Sequence, residues 1–189
     1  MSDWGLVQYR RARRSDASAI AALHADSWRH HYRGAYADAF LDGDVGADRL
    51  AVWSGRLNQR QVETCAVVGE ANGVVVGFAY TIWDGDETWG ALLENLHVIQ
   101  TRKGDGIGTQ LLARTAEALL GRASAAGLYL WVLEQNTAAQ AFYQARGATC
   151  VERGFVPPPG GDAGRLAGTP RRLRHVWPDP AELLLWLKV

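Results

Sequence analysis

The stretch VIQTRKGDGIGTQLL, Val98 to Leu112, runs from the end of an apolar segment into a helical pattern through three alternating glycines, Gly104, Gly106 and Gly108. A loop between a strand and a helix gathers free backbone N–H groups at the helix N-terminus, where they and the helix dipole favour an anion. Arg102 and Lys103 add positive charge at the loop mouth. Glycine allows close approach of backbone to a bulky group, and a pyrophosphate suits such a loop better than a single carboxylate does. Two phosphate-loop patterns fail. No Lys-Ser or Lys-Thr follows the glycines, which excludes G-x-x-x-x-G-K-[ST]. The third glycine of G-x-G-x-x-G would fall on Thr109 or Leu111. A glycine-rich turn that binds nothing stays open at this point.

Upstream of the loop the apolar residues alternate. ALLENLHV reads as a strand, and TCAVVGE and GVVVGFAYTIW flank Ala71-Asn72-Gly73. Asn-Gly accepts the positive φ angles of a tight hairpin. WDGDETWG makes the next turn. Nearer the N-terminus, residues 6–10 suit a first strand. Ser15 or Asp16 can cap a helix with Ala19, Ile20, Leu23, Ser27 and Trp28 at helical spacing, ending near Gly34. AYADAFLDGDVGAD reads as irregular, before a second helix around Ala47–Leu57. Downstream, Ile107, Leu111, Leu112, Thr115, Ala118 and Leu119 mark a helix running toward Gly127. LYLWVLE (128–134) is a buried strand, and a helix from Asn136 or Thr137 closes at Gly147. TCVERG and RRLRHVW are strands around a Pro/Gly loop, and the tail PAELLLWLKV is apolar enough to dock. The order β-α-α-β-β-β-α-β-α-β-β describes a mixed α/β sheet with helices on both faces, not a doubly wound parallel one.

A length of 189 residues implies one domain, with a core over 6–177 and a docking tail over 178–189. Twenty basic and twenty acidic residues cancel, which disfavours nucleic acid and anionic membrane as partners. The start MSDWGLVQYRRARR has no apolar signal-type core, and no run reaches the roughly 20 residues of a membrane span. The expectation is a soluble cytoplasmic protein. Cys65 and Cys150 sit in apolar strands and read as two buried free thiols. His24, His30 and His31 form no recognisable metal site, and none is expected.

The segment Lys103-Gly104-Asp105-Gly106-Ile107-Gly108 resembles the [Q/R]-x-x-G-x-[G/A] motif of the GNAT superfamily of acyl-CoA-dependent N-acetyltransferases, with Lys103 in place of Gln or Arg. NTAAQAFYQARGA resembles the family pattern N-x-x-A-x-x-F-Y-x-x-x-G-F, with Asn136, Ala139, Phe142, Tyr143 and Gly147 in register and Ala148 replacing the aromatic. The order of elements is also the family's, and the resemblance covers roughly residues 6–177. It implies an α+β fold with a mostly antiparallel sheet of about seven strands, splayed between the fourth and fifth.

The same resemblance implies transfer of an acetyl group from acetyl-CoA to an amine by direct attack in a ternary complex. The pyrophosphate would rest on the N–H groups of Gly104, Asp105, Gly106, Ile107, Gly108 and Thr109, with Arg102 or Lys103 meeting the adenosine phosphates. Leu96, His97 and Val98 would line the pantetheine arm, together with Asn136 and Phe142. Tyr143 is the implied general acid toward the leaving thiolate, and Glu94 the implied base or the end of a water chain; a surface glutamate opposite a basic neighbour is the other reading of that residue. In a regular strand His97 faces away from Glu94, unless a bulge intervenes. SWRHHYRG matches a stretch of some superfamily members, so Trp28 and Tyr32 would line the acceptor pocket, with cation–π contact to an ammonium. The acceptor is a small-molecule or peptide amine; Asp84, Asp86 and Glu87 on a turn are acids that could attract a cationic one. A homodimer contact is one role open to the tail. An acyl-CoA-binding sensor without turnover is the alternative.

Overall fold

The computed structural model describes residues 5–58, 63–122 and 127–186, without the side chain of Trp186. Residues 1–4 and the end of the expected tail, 187–189, lie outside the described residues. In chain order the elements are β1 (Gln8–Arg11), α1 (Ala17–His31), α2 (Asp38–Asp42), α3 (Val45–Asn58), β2 (Thr64–Ala71), β3 (Val74–Asp86), β4 (Gly90–Val98), α4 (Ile107–Leu120), β5 (Leu128–Leu133), α5 (Thr137–Gln144), β6 (Thr149–Phe155), β7 (Arg171–Trp177) and α6 (Pro180–Trp186). The strands form one seven-stranded sheet in the order β1-β2-β3-β4-β5-β7-β6. Every neighbouring pair is antiparallel except β4–β5. The mixed, mostly antiparallel α+β sheet implied by the sequence is therefore present.

Alternation along the strands divides the core between two faces. On one face Ile107, Leu111, Leu112 and Leu119 of α4, Tyr143 of α5 and Leu183 of α6 pack on Val76, Ala79, Leu93, Leu130 and Val132. On the other face Ile20 and Leu23 of α1 and Trp53 of α3 pack on Val68, Phe78 and Tyr80. A third cluster joins Trp28, Tyr36, Phe40 and Leu41 to Leu133 and Val156, beneath the α1–α2 linker.

Local chemistry fixes the connections. Asn72 (φ 50°) and Gly73 (φ 78°) make the expected β2–β3 hairpin. Gly147 (φ 82°) follows α5, and its N–H donates to Gln144 O. Arg10 grips Asp16 at 2.7 and 2.9 Å and also reaches Glu70, tying the start of α1 to the sheet.

The β3–β4 ladder shifts register between Tyr80, opposite Asn95, and Thr81, opposite Leu93. Glu94 is the extra residue of a bulge.

Three expectations need correcting. The segment read as irregular contains α2, whose Phe40 and Leu41 are buried. The helix expected at Ala47–Leu57 begins at Val45, which is also buried. Cys150 is exposed, because β6 is the outer strand of the sheet and lacks a helical cover on its side chains; Cys65 is buried as expected. The described part of the tail packs on α4, with Leu183 fully buried, so it covers the core as one of its two expected roles.

The start of β4 sets a close backbone approach. A Cβ on Gly90 would lie 2.5 Å from Gly127 O, and Gly90 has φ +77°. Neither backbone can yield cheaply, so Gly90→Ala is expected to cost about 2–4 kcal/mol. Gly55 in α3 has nothing within 4 Å of such a Cβ. Gly55→Ala is expected to stabilise by about 0.5–1 kcal/mol. Thermal or denaturant unfolding measures both, and a Gly90→Ala protein as stable as the parent would disprove the close contact.

Candidate active site

β4 and β5 pair through only two residue positions, Ala91 with Leu128 and Leu92 with Tyr129. Beyond them each strand follows its antiparallel partner, β3 or β7, and the sheet opens. A cavity of about 400 Å³ occupies this fork. Leu93, Glu94, Leu96, His97 and Val98 line one side, and Leu130 to Leu133 the other.

At one end the cavity meets the glycine loop. Gly104 (φ +94°) and Gly106 (φ +78°) take left-handed conformations, with nothing within 4 Å of a would-be Cβ. The first bond of α4 runs from Gln110 N–H to Gly106 O. The N–H groups of Ile107, Gly108 and Thr109 therefore precede the helical ladder and remain available to an anion. Ile107 itself is buried in the core, so only its backbone is offered. Lys103 Nζ lies 2.5 Å from His31 Nε2, and burial lowers the Lys103 pKa. The His31 pKa is also lowered, first by burial and then by the Lys103 cation. Arg102 is held at 2.5 Å by Asp105, whose side chain is not part of the lining.

α5 forms the wall beside the loop. Asn136 caps it by accepting from Ala139 N–H at 3.1 Å, which leaves its carboxamide nitrogen as the remaining donor. A Cβ on Gly108 would lie 3.3 Å from Phe142, so this glycine lets α4 and α5 approach. Arg146 donates to Thr109 Oγ1 at 2.7 Å and to Phe142 O at 2.8 Å, with its guanidinium 3.8 Å from the Phe142 ring centre. Tyr143 packs edge-on against Phe142 and Trp177. Burial, with Tyr32 nearby, raises the phenol of Tyr143 above its ordinary range.

The bulge reorganises the opposite face. Glu94 and Asn95 both turn toward α3, where Arg56 contacts the Glu94 carboxylate at 2.6 and 2.9 Å and Asn95 Oδ1 at 3.3 Å. After the bulge His97 also faces α1, so Glu94 and His97 share a face, as an uninterrupted strand would not allow. His97 Nδ1 lies 2.8 Å from Ser27 Oγ, and its ring packs against His24 and Phe78. Burial, then His31, Lys103 and Arg49, press the His97 pKa down to about 3. His24 Nδ1 accepts from Trp53 Nε1 at 3.0 Å, which places the His24 proton on Nε2. Both imidazoles are neutral at ordinary pH.

The fork thus gathers Tyr143, Glu94, Asn136, Phe142, Tyr32, the β4 residues Leu96 to Val98 and the loop glycines around one cavity. Trp28 lies outside the lining: it is buried, with the Arg49 guanidinium 4.1 Å from its ring centre. That face already holds a cation of the protein itself. Asp86 accepts from Thr88 and Trp89 N–H and pairs with Arg174 at 3.0 Å, so it is a turn acid. The lining also includes Ser27, His31, Trp131 and Arg146, which the sequence reading did not select. Arg146 lies in the turn just past α5 and reaches back to Phe142 O. Among the described residues no group of three or more His, Cys, Asp or Glu is arranged for a metal ion. No described helix is long and apolar enough to cross a membrane.

Comparison with known proteins agrees with this geometry. The model of the acetyltransferase (GNAT) family matches residues 19–148. The chain is 30% identical over 183 residues to the uncharacterized N-acetyltransferase YuaI of Bacillus subtilis (strain 168), covering 94% of this chain and 96% of that protein. Among solved structures, the PaiA N-acetyltransferase of Thermoplasma acidophilum in complex with coenzyme A aligns with TM-score 0.68 at 16% identity, over 91% of this chain and 99% of the other. YncA of Salmonella typhimurium with its cofactor acetyl-CoA aligns with TM-score 0.61 at 22% identity, over 91% and 93%. These structures share the fold; the family match and the B. subtilis relative establish that the chain belongs to the GNAT acetyltransferase family.

Proposed function

We propose that this acetyltransferase moves the acetyl group of acetyl-CoA to a primary amine by direct attack in a ternary complex. The observation that carries the reading is the single cavity through the β4–β5 fork, with an anion cradle at one end and Tyr143 and Glu94 in its walls. The coenzyme A and acetyl-CoA complexes of PaiA and YncA support the choice of donor. The open left-handed glycines fit a pyrophosphate, which would rest on the N–H groups from Gly104 to Thr109 beside Lys103 and Arg146. Arg102, tied to Asp105, would shape the loop and add charge. The edges of Leu96, His97 and Val98, which β5 does not pair, would bond the pantetheine arm, with Asn136 and Phe142 opposite. A free N–H on that edge would stabilise the oxyanion that develops on the thioester.

Tyr143 is the acid in this reading. Its raised pKa keeps the phenol protonated throughout the working range, so it is ready to donate to the leaving sulfur. Glu94, oriented by Arg56, is the base or the end of a water chain that removes the amine proton. Tyr32 borders the acceptor side, and burial raises its phenol to about 12, so it too acts as a neutral group. The acceptor is a small-molecule or peptide amine, and the protein works in the cytoplasm as one catalytic domain.

Tyr143→Phe is expected to lower kcat by about 100-fold or more, while calorimetric affinity for acetyl-CoA stays nearly unchanged. Undiminished turnover would remove Tyr143 from the acid role. Glu94→Gln retains the oxygen that faces Arg56 but loses the base; kcat/KM for the amine should fall about 100-fold, with acetyl-CoA binding again preserved. Gly106→Ala puts a methyl group into the cradle at φ +78°. It should weaken acetyl-CoA binding and leave kcat at saturation little changed. Binding of acetyl-CoA without thiol release across an amine panel would replace catalysis by a sensing role.

A further inference from the structure

The ammonium of Lys103 meets an imidazole. Its Nζ lies 2.5 Å from His31 Nε2. At that separation Lys103 donates and the ring accepts, so neutral His31 carries its own proton on Nδ1. Two cations in direct contact would repel each other. Two groups that can each bear a positive charge therefore share one. Both line the cavity at its cradle end, with Gly104, Gly106, Gly108 and Thr109. His31 is the last residue of α1, and Lys103 stands just before the loop glycines.

The groups around His31 act in both directions. Burial opposes a charge on the ring, followed by Lys103 and His30, while Gln100 and Asp26 favour one. His97 of β4 also acts on it, and that ring is neutral. The C-terminal end of a helix favours a cation. Among the opposing groups Lys103 is the one able to leave, because it is exposed and its stem is flexible. A pyrophosphate on the loop changes the balance. It attracts Lys103 Nζ away from the ring, frees Nε2, and favours a second positive charge beside it.

We infer that His31 is a second, conditional cation of the phosphate cradle: neutral and bonded to Lys103 in the free protein, it takes up a proton when the coenzyme's pyrophosphate draws Lys103 away. The inference rests on the acetyltransferase reading above and adds a binding residue to it. In the step the Nζ–H···Nε2 hydrogen bond breaks, one N–H bond forms at His31 Nε2, and the proton comes from solvent. Binding thus raises the proton affinity of His31. Affinity for the coenzyme is then greatest at low pH and falls as pH rises through the interval between the ring's free and bound pKa values. The free value lies below the ordinary histidine range, so the interval opens on the acid side of neutrality.

The test is calorimetric titration of the full chain with dephospho-CoA, which keeps the pyrophosphate but lacks the phosphomonoester that itself titrates near neutrality. Heats measured in buffers of different ionisation enthalpy give the protons taken up on binding. At about pH 6.5 the parent should take up about 0.5 proton, and between about pH 6 and pH 8 its affinity should fall about 10-fold, the equivalent of one pKa unit. His31→Gln should abolish the uptake and flatten the pH dependence, with affinity near that of the parent at pH 8. Binding without proton uptake by the parent overturns the inference and makes His31 a fixed prop for Lys103. Undiminished uptake by His31→Gln overturns it as well. If acetyl-CoA binds and dephospho-CoA does not, the difference between parent and variant with acetyl-CoA is read by the same rule. Failure to bind either coenzyme overturns the acetyltransferase reading beneath. The parent's proton count needs no variant, so the inference stays open to refutation even if His31→Gln does not fold.

Discussion

The β4–β5 contact is the constraint on which the rest depends. Among the described strands it is the only parallel pair, and it lasts for two residue positions. At its closed end Gly90 and Gly127 let the backbones meet, Ala91 N–H donates to Gly127 O at 3.0 Å, and the Tyr129 hydroxyl reaches Gly85 O at 3.1 Å. Past that point the antiparallel partners prevail. β5 is paired with β7 along its whole length, while β4 stays with β3 and bends at the Glu94 bulge. The fork follows from two well-made ladders pulling away from one short one. Its unpaired strand edges are polar groups in need of a partner, which makes the opening suited to an extended amide-bearing chain.

The electrostatics of the cavity are arranged by neutralisation. The loop end holds Lys103, Arg146 and the N-terminus of α4, all favouring anions. Around the middle of the cavity, titratable groups are kept neutral or paired. His24 and His97 are held neutral mainly by burial, Tyr32 and Tyr143 are held protonated by the same cause, and Glu94 is matched by Arg56. A low-polarity centre between a cationic end and an acceptor face strengthens any hydrogen bond made to charge that develops there.

What the sequence disclosed was governed by locality. Asn72-Gly73, the glycine loop and the cap at Asn136 are chemical signals within a few residues, and each stands where it was read. The donor half of the candidate site was legible for that reason. The bulge was not: an extra residue at Glu94 is defined only against the register of β3. Nor was the insertion of β7 between β5 and β6, which brings Arg172 beside Trp131 and leaves Cys150 on an outer strand. Trp28 and Tyr32 share helical spacing, but the Arg49 that covers the face of Trp28 comes from α3. Pairing between distant segments decides such matters, and periodicity carries no record of it.

The two faces of the sheet also constrain the proposed chemistry. Tyr143 belongs to the α4 side, packed with Phe142 and Trp177, whereas Glu94 and His97 face α1 and α3. The fork is where these faces communicate, and Tyr143 and Tyr32 come near enough across it for one to oppose ionisation of the other. A thioester carbonyl held in that opening would meet an amine from the Glu94 side and release its sulfur toward Tyr143. Nucleophile and leaving group would then occupy opposite sides of the carbonyl carbon, each beside the residue able to handle its proton. A regular β4 would have turned Glu94 and His97 to different faces; the bulge places both toward α1 and α3 while Leu93 and Leu96 remain in the core of the other side.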